Sequence, residues 1–396
     1  MLPGQEYPNS VSTLRQPLPF ESQSAETIRA EILRRAYRRR RRPADALANA
    51  SVNLASVRVR IKVLSMVLSM DSSGDRNVRA LITDFDYGDV DIERRILEDA
   101  GLEVVEAQCR TEEDVIEAGR GASALLTQYA PITARVLAEL PEVRMVGRYG
   151  VGYDVIDVGA AQERGVWVAN VPDYGTEEVA VHALSMALAL LRHLPLYDRD
   201  VRSGRWHPAS TGPLYRLKNL TLGVIGVGRI GGTFAGRASP WFGRTLGCDP
   251  YLQEDAWPEG VEQASLEKIF SESLLVSLHA PLMEETRGFI DRGLLERMPE
   301  GGYLVNTARG GLVAMDALLW ALEEGPLAGA ALDVLPHEPP PPGYRLLDNP
   351  NVIVTPHAAY YSLEAEEEAR TKAARNLASW AKEGHPLYPV VEGRLR

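Results

Sequence analysis

The sequence predicts an α/β protein with two parallel sheets, and two observations carry that prediction. From Asn77 onward short apolar runs alternate with helical stretches, and the alternating series occurs twice, separated by a long apolar helix. Strands that alternate with helices at this spacing pair in parallel, with helical crossovers covering both faces. At 396 residues the chain has room for two such domains, with a cleft expected between them.

The elements follow in order. Val78–Thr83 reads as a strand, Asp91–Ala100 as a helix closed by Gly101, and Leu102–Ala107 as the next strand. Ala124–Thr127 and Arg144–Arg148 are further short strands, and Thr176 to Leu194 reads as one long helix. Its wide apolar face suits burial between domains or in a subunit interface. The second series has expected strands at Thr221–Ile225, Thr245–Cys248, Leu274–Leu278, Tyr303–Asn306, Gly329–Leu332 and Val352–Thr355. A last helix over Leu363–Glu383 could return to the first domain.

Composition narrows the function classes. With 45% apolar and 24% charged residues the chain is an ordinary globular protein, and a cytoplasmic location is expected. Cys109 and Cys248 are too few for a disulfide framework and lack metal-ligand spacing, so both are expected to be small buried residues, with no metal site. No apolar run approaches the roughly 18 residues of a membrane span. The net charge of -11 is uneven: residues 1–70 hold 12 Lys/Arg against 5 Asp/Glu. An acidic body argues against a nucleic-acid partner, since that affinity comes from neutralising phosphates. The basic segment, with Arg38 to Arg42 at its centre, fits a disordered or wrongly assigned extension over residues 1–76, starting the domain after Met70. A targeting peptide and a basic arm for nucleic acid or membrane are the competing readings.

Gly226-Val-Gly228-Arg229-Ile230-Gly231 stands at the end of an apolar strand and the start of a helix. Gly226 allows a tight turn, Gly228 lets backbone approach a pyrophosphate, and Gly231 lets helix pack on strand. The helix N-terminus then offers free N–H groups to phosphate. Asp249 follows the next strand, where a carboxylate accepts hydrogen bonds from an adenosine ribose and repels a 2′-phosphate. With no Arg close behind it, the pattern favours NAD over NADP, although Asp249-Pro250 would also close an ordinary turn. The fold expected is therefore two Rossmann-like domains.

Three downstream segments place polar groups after strands, where ligands sit in open parallel sheets. They hold Arg309, Glu338 and His357. Reducing a 2-keto acid needs a cation for the carboxylate and a proton donor for the oxygen. Arg supplies a planar fork, His a proton near working pH, and a neighbouring Glu favours imidazolium. His337 and His279 remain competing acids on these grounds.

From about Val78 to Glu392 the chain resembles the D-isomer-specific 2-hydroxyacid dehydrogenase family, nearest its C-terminal-binding-protein-like branch. The resemblance rests on Gly150-Val-Gly152-Tyr-Asp154, Asn170-Val-Pro172, Gly226–Gly231, His279-Ala-Pro-Leu, Asn306–Val313, Gly329–Val334 and Thr355–Ser362. It implies Arg309 as substrate cation, His357 as acid/base, Glu338 as its partner, and backbone N–H groups near Val151 and Gly152 on the substrate carboxylate. It implies cofactor contacts from Arg229, Ile230, Asp249, Ala280, Thr286, Thr307, Ala308 and Asp333. It also implies a homodimer and a discontinuous substrate domain, residues 77–174 plus 360–392, around an NAD-binding domain at 175–359. The sequence departs from relatives at Val155, often Asn, and at Tyr360, a pocket-wall position that is Trp in the corepressors. Glu338 counts against formate, and no regulatory domain is expected after Pro389. A small 2-hydroxy or 2-keto acid is the expected partner. An NAD-responsive, corepressor-like binding protein is the second reading.

Overall fold

A computed structural model describes residues 78–394. The extension expected over residues 1–76, and the domain start expected at Met70, lie outside the described residues. The first series runs β1 (Val78–Ile82), α1 (Asp91–Glu98), β2 (Leu102–Glu106), α2 (Glu112–Ala118), β3 (Ala124–Thr127), α3 (Ala134–Glu139), β4 (Met145–Arg148), α4 (Val158–Arg164) and β5 (Trp167–Ala169). Helices α5 (Thr176–Leu191) and α6 (Leu194–Arg202) follow. The second series is β6 (Thr221–Ile225), α7 (Arg229–Ala238), β7 (Arg244–Cys248), β8 (Val261–Gln263), α8 (Leu266–Glu272), β9 (Leu275–Leu278), α9 (Arg292–Leu295), β10 (Gly302–Asn306), α10 (Met315–Glu323), β11 (Leu327–Leu332) and β12 (Val352–Val354). The described chain closes with α11 (Leu363–Glu383) and β13 (Pro389–Val391).

Local chemistry sets many of these boundaries. Thr111, Asp157, Ser265 and Ser362 each accept a hydrogen bond from a first-turn amide, capping α2, α4, α8 and α11. The single helix expected from Thr176 to Leu194 is corrected: α5 stops at Leu191, His193 turns left-handed (φ 52°), and α6 starts at Leu194. Pro195 is the reason, because its ring would clash with the Leu191 carbonyl inside a helix but is tolerated in a first turn. Cys109 is buried as expected, whereas Cys248 is only partly so.

The first sheet has the order β13-β5-β4-β3-β1-β2 and is parallel except for β13, which pairs antiparallel with β5. The sheet is thus mostly parallel, with one antiparallel edge strand. α11 buries Ala373, Ala374, Leu377 and Trp380 against Ala80, Ile82, Leu126 and Met145 of this sheet. The side chain of Asn376 then accepts the amides of Leu387 and Tyr388, steering the chain into β13. The second sheet, β12-β11-β10-β9-β6-β7-β8, is wholly parallel. α5 and α7 pack on one face, and α8 to α10 on the other.

Both sheets reverse strand order once, between β1 and β3 and between β6 and β9. Such reversals leave a crevice at the strands' carboxyl ends, where ligands bind. Among the described residues no single helix is long and apolar enough to cross a membrane.

Candidate active site

At the second reversal, the glycine run takes the shape its spacing requires. Gly226 has φ 83°, and a β-carbon on Gly231 would fall 1.8 Å from the Gly226 carbonyl oxygen. At Gly228 a β-carbon would meet nothing within 4 Å, so the backbone is open on that side. Asp249, after β7, accepts the Val227 amide (2.9 Å) and the Tyr251 amide (3.0 Å), tying its loop to the glycine turn.

A cleft of about 420 Å³ lies between the carboxyl ends of the two sheets. It is lined by Gly228, Arg229, Ile230, Gly231, Ala280, Thr307, Ala308, Arg309, Asp333 and His357 on one side, and by Val151, Gly152 and Tyr360 on the other. Thus most of the residues singled out in the sequence meet at one place. Gly226 stands just behind the wall against Gly231 and Glu338 behind His357, whereas Asp249 is bonded to the glycine turn and does not itself line the cleft. Thr286 is not brought to the cleft: its hydroxyl bonds the Pro281 carbonyl and accepts the Met283 amide within its own turn. The cleft suits a dinucleotide, since it combines the open backbone at Gly228, the amino end of α7 and a buried Thr307 hydroxyl without a protein partner.

Arg309 follows β10 in a turn shaped by Asn306, whose side chain donates to the Arg309 carbonyl and accepts the Ala308 amide. Its guanidinium Nε donates to Asp154 at 2.9 Å. Burial pushes the Asp154 carboxyl up, but the Arg309 charge and hydrogen bond more than offset this and hold it below its ordinary value. The loop carrying Val151 is fixed by Asn170, whose amide donates to the Val151 carbonyl at 2.7 Å.

His357 has a left-handed backbone, φ 55°, which a residue with a side chain adopts at a cost of about 1–3 kcal/mol. Asp333, only 2% exposed, holds it there. Its carbonyl accepts the His357 amide, and its carboxylate accepts the amides of Ala358 and Ala359 and the Thr355 hydroxyl. The ring Nδ1 of His357 lies 2.6 Å from Glu338 Oε2. Burial raises the Glu338 carboxyl, yet the hydrogen bond and charge of His357, with the Leu335 amide, bring it below its usual value and keep it ionised.

The competing histidines are placed differently. His337 is exposed and does not line the cleft. His279 lines it but is half-buried, its Nε2 against Ser277 Oγ, and burial lowers its pKa to about 3.

Several wall residues escaped the sequence reading. Arg148 ends β4, and Tyr87, Gln128, Tyr129, Tyr149 and Tyr174 come from loops after four different strands of the first sheet. Their only signal was proximity to strand ends. His182 of α5, which contacts Thr355 Oγ1 at 3.1 Å, also went unnoticed in its apolar helix.

A family model for the NAD-binding domain of D-isomer-specific 2-hydroxyacid dehydrogenases matches residues 184–359. The chain is 41% identical over 273 residues to a glyoxylate reductase of Korarchaeum cryptofilum, covering 68% of this chain and 82% of that one. It is 36% identical over 293 residues to a D-3-phosphoglycerate dehydrogenase of Archaeoglobus fulgidus, covering 74% of this chain but only 55% of that relative. A solved D-lactate dehydrogenase from Aquifex aeolicus, complexed with NAD and lactic acid, superposes with a TM-score of 0.70 at 28% identity, covering 78% of this chain and 98% of that chain. Fold and site together define an NAD-dependent oxidoreductase acting on CH–OH groups. The chain belongs to the D-isomer-specific 2-hydroxyacid dehydrogenase family.

Proposed function

We propose that the protein interconverts a small 2-keto acid and its D-2-hydroxy acid, with Arg309 binding the carboxylate and His357 exchanging the proton. The observation that supports this most is the shared cleft: Arg309 and His357 both face it, and Glu338 sits 2.6 Å from the far nitrogen of the imidazole. Bound NADH would supply the hydride. Gly228, Arg229 and Ile230 would hold its pyrophosphate at the amino end of α7, with Gly226 and Gly231 shaping that turn and Asp249 at the adenosine ribose. Ala280, Thr307, Ala308 and Asp333 would flank the rest.

In the reduction direction the substrate carboxylate meets the Arg309 fork and the backbone amides of Val151 and Gly152. The keto oxygen then lies toward His357, which enters protonated and gives up its proton as the oxygen gains charge. Glu338 holds the ring's other nitrogen and so fixes the imidazole's orientation. Tyr360 forms part of the wall facing the substrate. Residues 77–174 with 360–392 would act as the substrate domain and residues 175–359 as the NAD domain. A homodimer is proposed with them, which sedimentation would test.

The experiment is NADH oxidation, followed by absorbance, with glyoxylate, hydroxypyruvate, pyruvate and bulkier keto acids. Turnover of at least one supports the proposal. NADH binding without turnover of any would favour a corepressor-like role instead.

A further inference from the structure

Arg148 ends β4, immediately before the Gly150-Val151-Gly152 loop. A β-carbon on Gly150 would fall 2.0 Å from Arg148 Nη1 and 3.0 Å from the Tyr174 hydroxyl. A β-carbon on Gly152 would fall 1.5 Å from Arg309 Nη2. Two bare Cα atoms, at most about 7 Å apart across two trans peptides, therefore each seat a guanidinium that lines the same cleft.

The two guanidiniums differ in how their charge is answered. Arg309 has Asp154 at 2.9 Å. Arg148 has no carboxylate at ion-pair distance among the described residues, and its buried Nε has no hydrogen-bond partner. Its cleft neighbours Gln128, Tyr129, Tyr174 and Tyr360 are neutral. Burial pushes the Tyr129 hydroxyl up to about 12 and raises those of Tyr174 and Tyr360 as well, so all three remain protonated donors. Asp86 accepts from Gln128 Nε2 at 2.6 Å and from Tyr129 Oη at 3.3 Å, and Asp154, which the Arg148 charge also helps to hold below its ordinary value, is ion-paired to Arg309. A half-buried cation without a counter-ion is costly unless something arrives to pair with it.

We propose that Arg148 is the receptor for a second anionic group on the substrate, so that the preferred 2-keto acid carries a carboxylate or phosphate farther along its chain. This rests on the assignment of the 2-keto carboxylate to Arg309. A guanidinium fork binds either oxyanion in two-pronged fashion, and the surrounding hydroxyls supply further donors. An aliphatic tail in the same place would leave Arg148 stripped of water and unpaired, so the residue also discriminates against apolar keto acids.

The test compares kcat/KM within matched pairs: pyruvate against oxaloacetate, and hydroxypyruvate against its 3-phosphate. The wild-type protein should favour the member with the second anionic group by about tenfold or more in one pair, and the pair that shows it separates carboxylate from phosphate. Arg148→Gln should reduce that preference by roughly 10–150-fold, the loss of a charged hydrogen bond. Equal or better use of the monoanion in both pairs by the wild type overturns the proposal, even if the variant fails to fold. An equal fall for both members of a pair in a folded Arg148→Gln also overturns it. Failure of every keto acid to turn over removes the proposed function and this inference together; turnover without preference removes this inference alone.

Discussion

Arg309 lies across the backbone of Gly152 so closely that a β-carbon there would coincide with its Nη2, at 1.5 Å. The glycine thus admits the guanidinium to the cleft wall, and Asp154, two residues on, fixes it from the side. Gly152→Ala must displace either the fork or the loop. A displacement of about 1 Å in a positioning group is enough to cost roughly 100-fold in rate. We expect kcat/KM for the keto acid to fall by about that factor while NADH fluorescence titration stays near wild type. An unchanged kcat/KM would show that Arg309 does not hold the substrate.

Asp249 ties the end of β7 to the glycine turn through the Val227 amide. Asp249→Ala should weaken NADH binding by roughly 10–150-fold, the cost of a charged hydrogen bond of about 1.5–3 kcal/mol. The gap between NADH and NADPH should narrow, because the carboxylate that repels a 2′-phosphate is gone. Steady-state kinetics with both cofactors check this, and a wild-type preference for NADPH would contradict it.

The Arg370–Glu93 pair joins α11 to α1 across 277 residues of sequence, with Nε to Oε1 at 2.9 Å. Glu93 is 0% and Arg370 5% exposed. Removing one partner of such a pair strands a buried charge, at about 3–5 kcal/mol, whereas an apolar replacement of both is often tolerated. Urea denaturation of Arg370→Met should show that loss, and Glu93→Leu/Arg370→Met should recover most of it. Additive losses in the double variant would contradict the pairing.

His279 gives the fold an acid-sensitive point. Burial depresses its pKa to about 3, whereas the unfolded chain restores about 6.5. A depressed folded value means the stabilising contribution is complete above about 6.5 and is lost progressively as pH falls toward 3. The melting temperature should therefore drop between pH 7 and 4 more steeply in the wild type than in His279→Leu. Parallel slopes would mean that His279 is not held neutral.

Much of this was legible in the sequence because the second series is regular. Strand β6, the glycine run and Asp249 occur at a spacing that serves one geometry; Arg309 follows the buried strand β10 and His357 the half-buried edge strand β12, both parallel. What escaped was carried by short or distant features. β8 and β13 are three-residue edge strands, and β13 begins with Pro389, which an edge strand's first position tolerates. β5 is as short, although all three of its residues are buried. The tyrosine-lined wall is assembled from loops far apart in the chain, so no local period announces it. Arg148 looked like an ordinary strand-end residue; only the space above Gly150 shows where its side chain lies.

The central claim is that His357, held by Asp333 and Glu338, gives the proton. It is tested most directly by single-turnover reduction of the preferred keto acid in His357→Gln. Glutamine keeps a polar group without the titrating proton, so the rate should fall by roughly 10²–10⁴, with NADH affinity within about twofold of wild type. His337→Gln, altered at an exposed position outside the cleft, should retain near-normal turnover. Near-normal turnover by His357→Gln, with loss of activity in His337→Gln or His279→Gln, would contradict the claim.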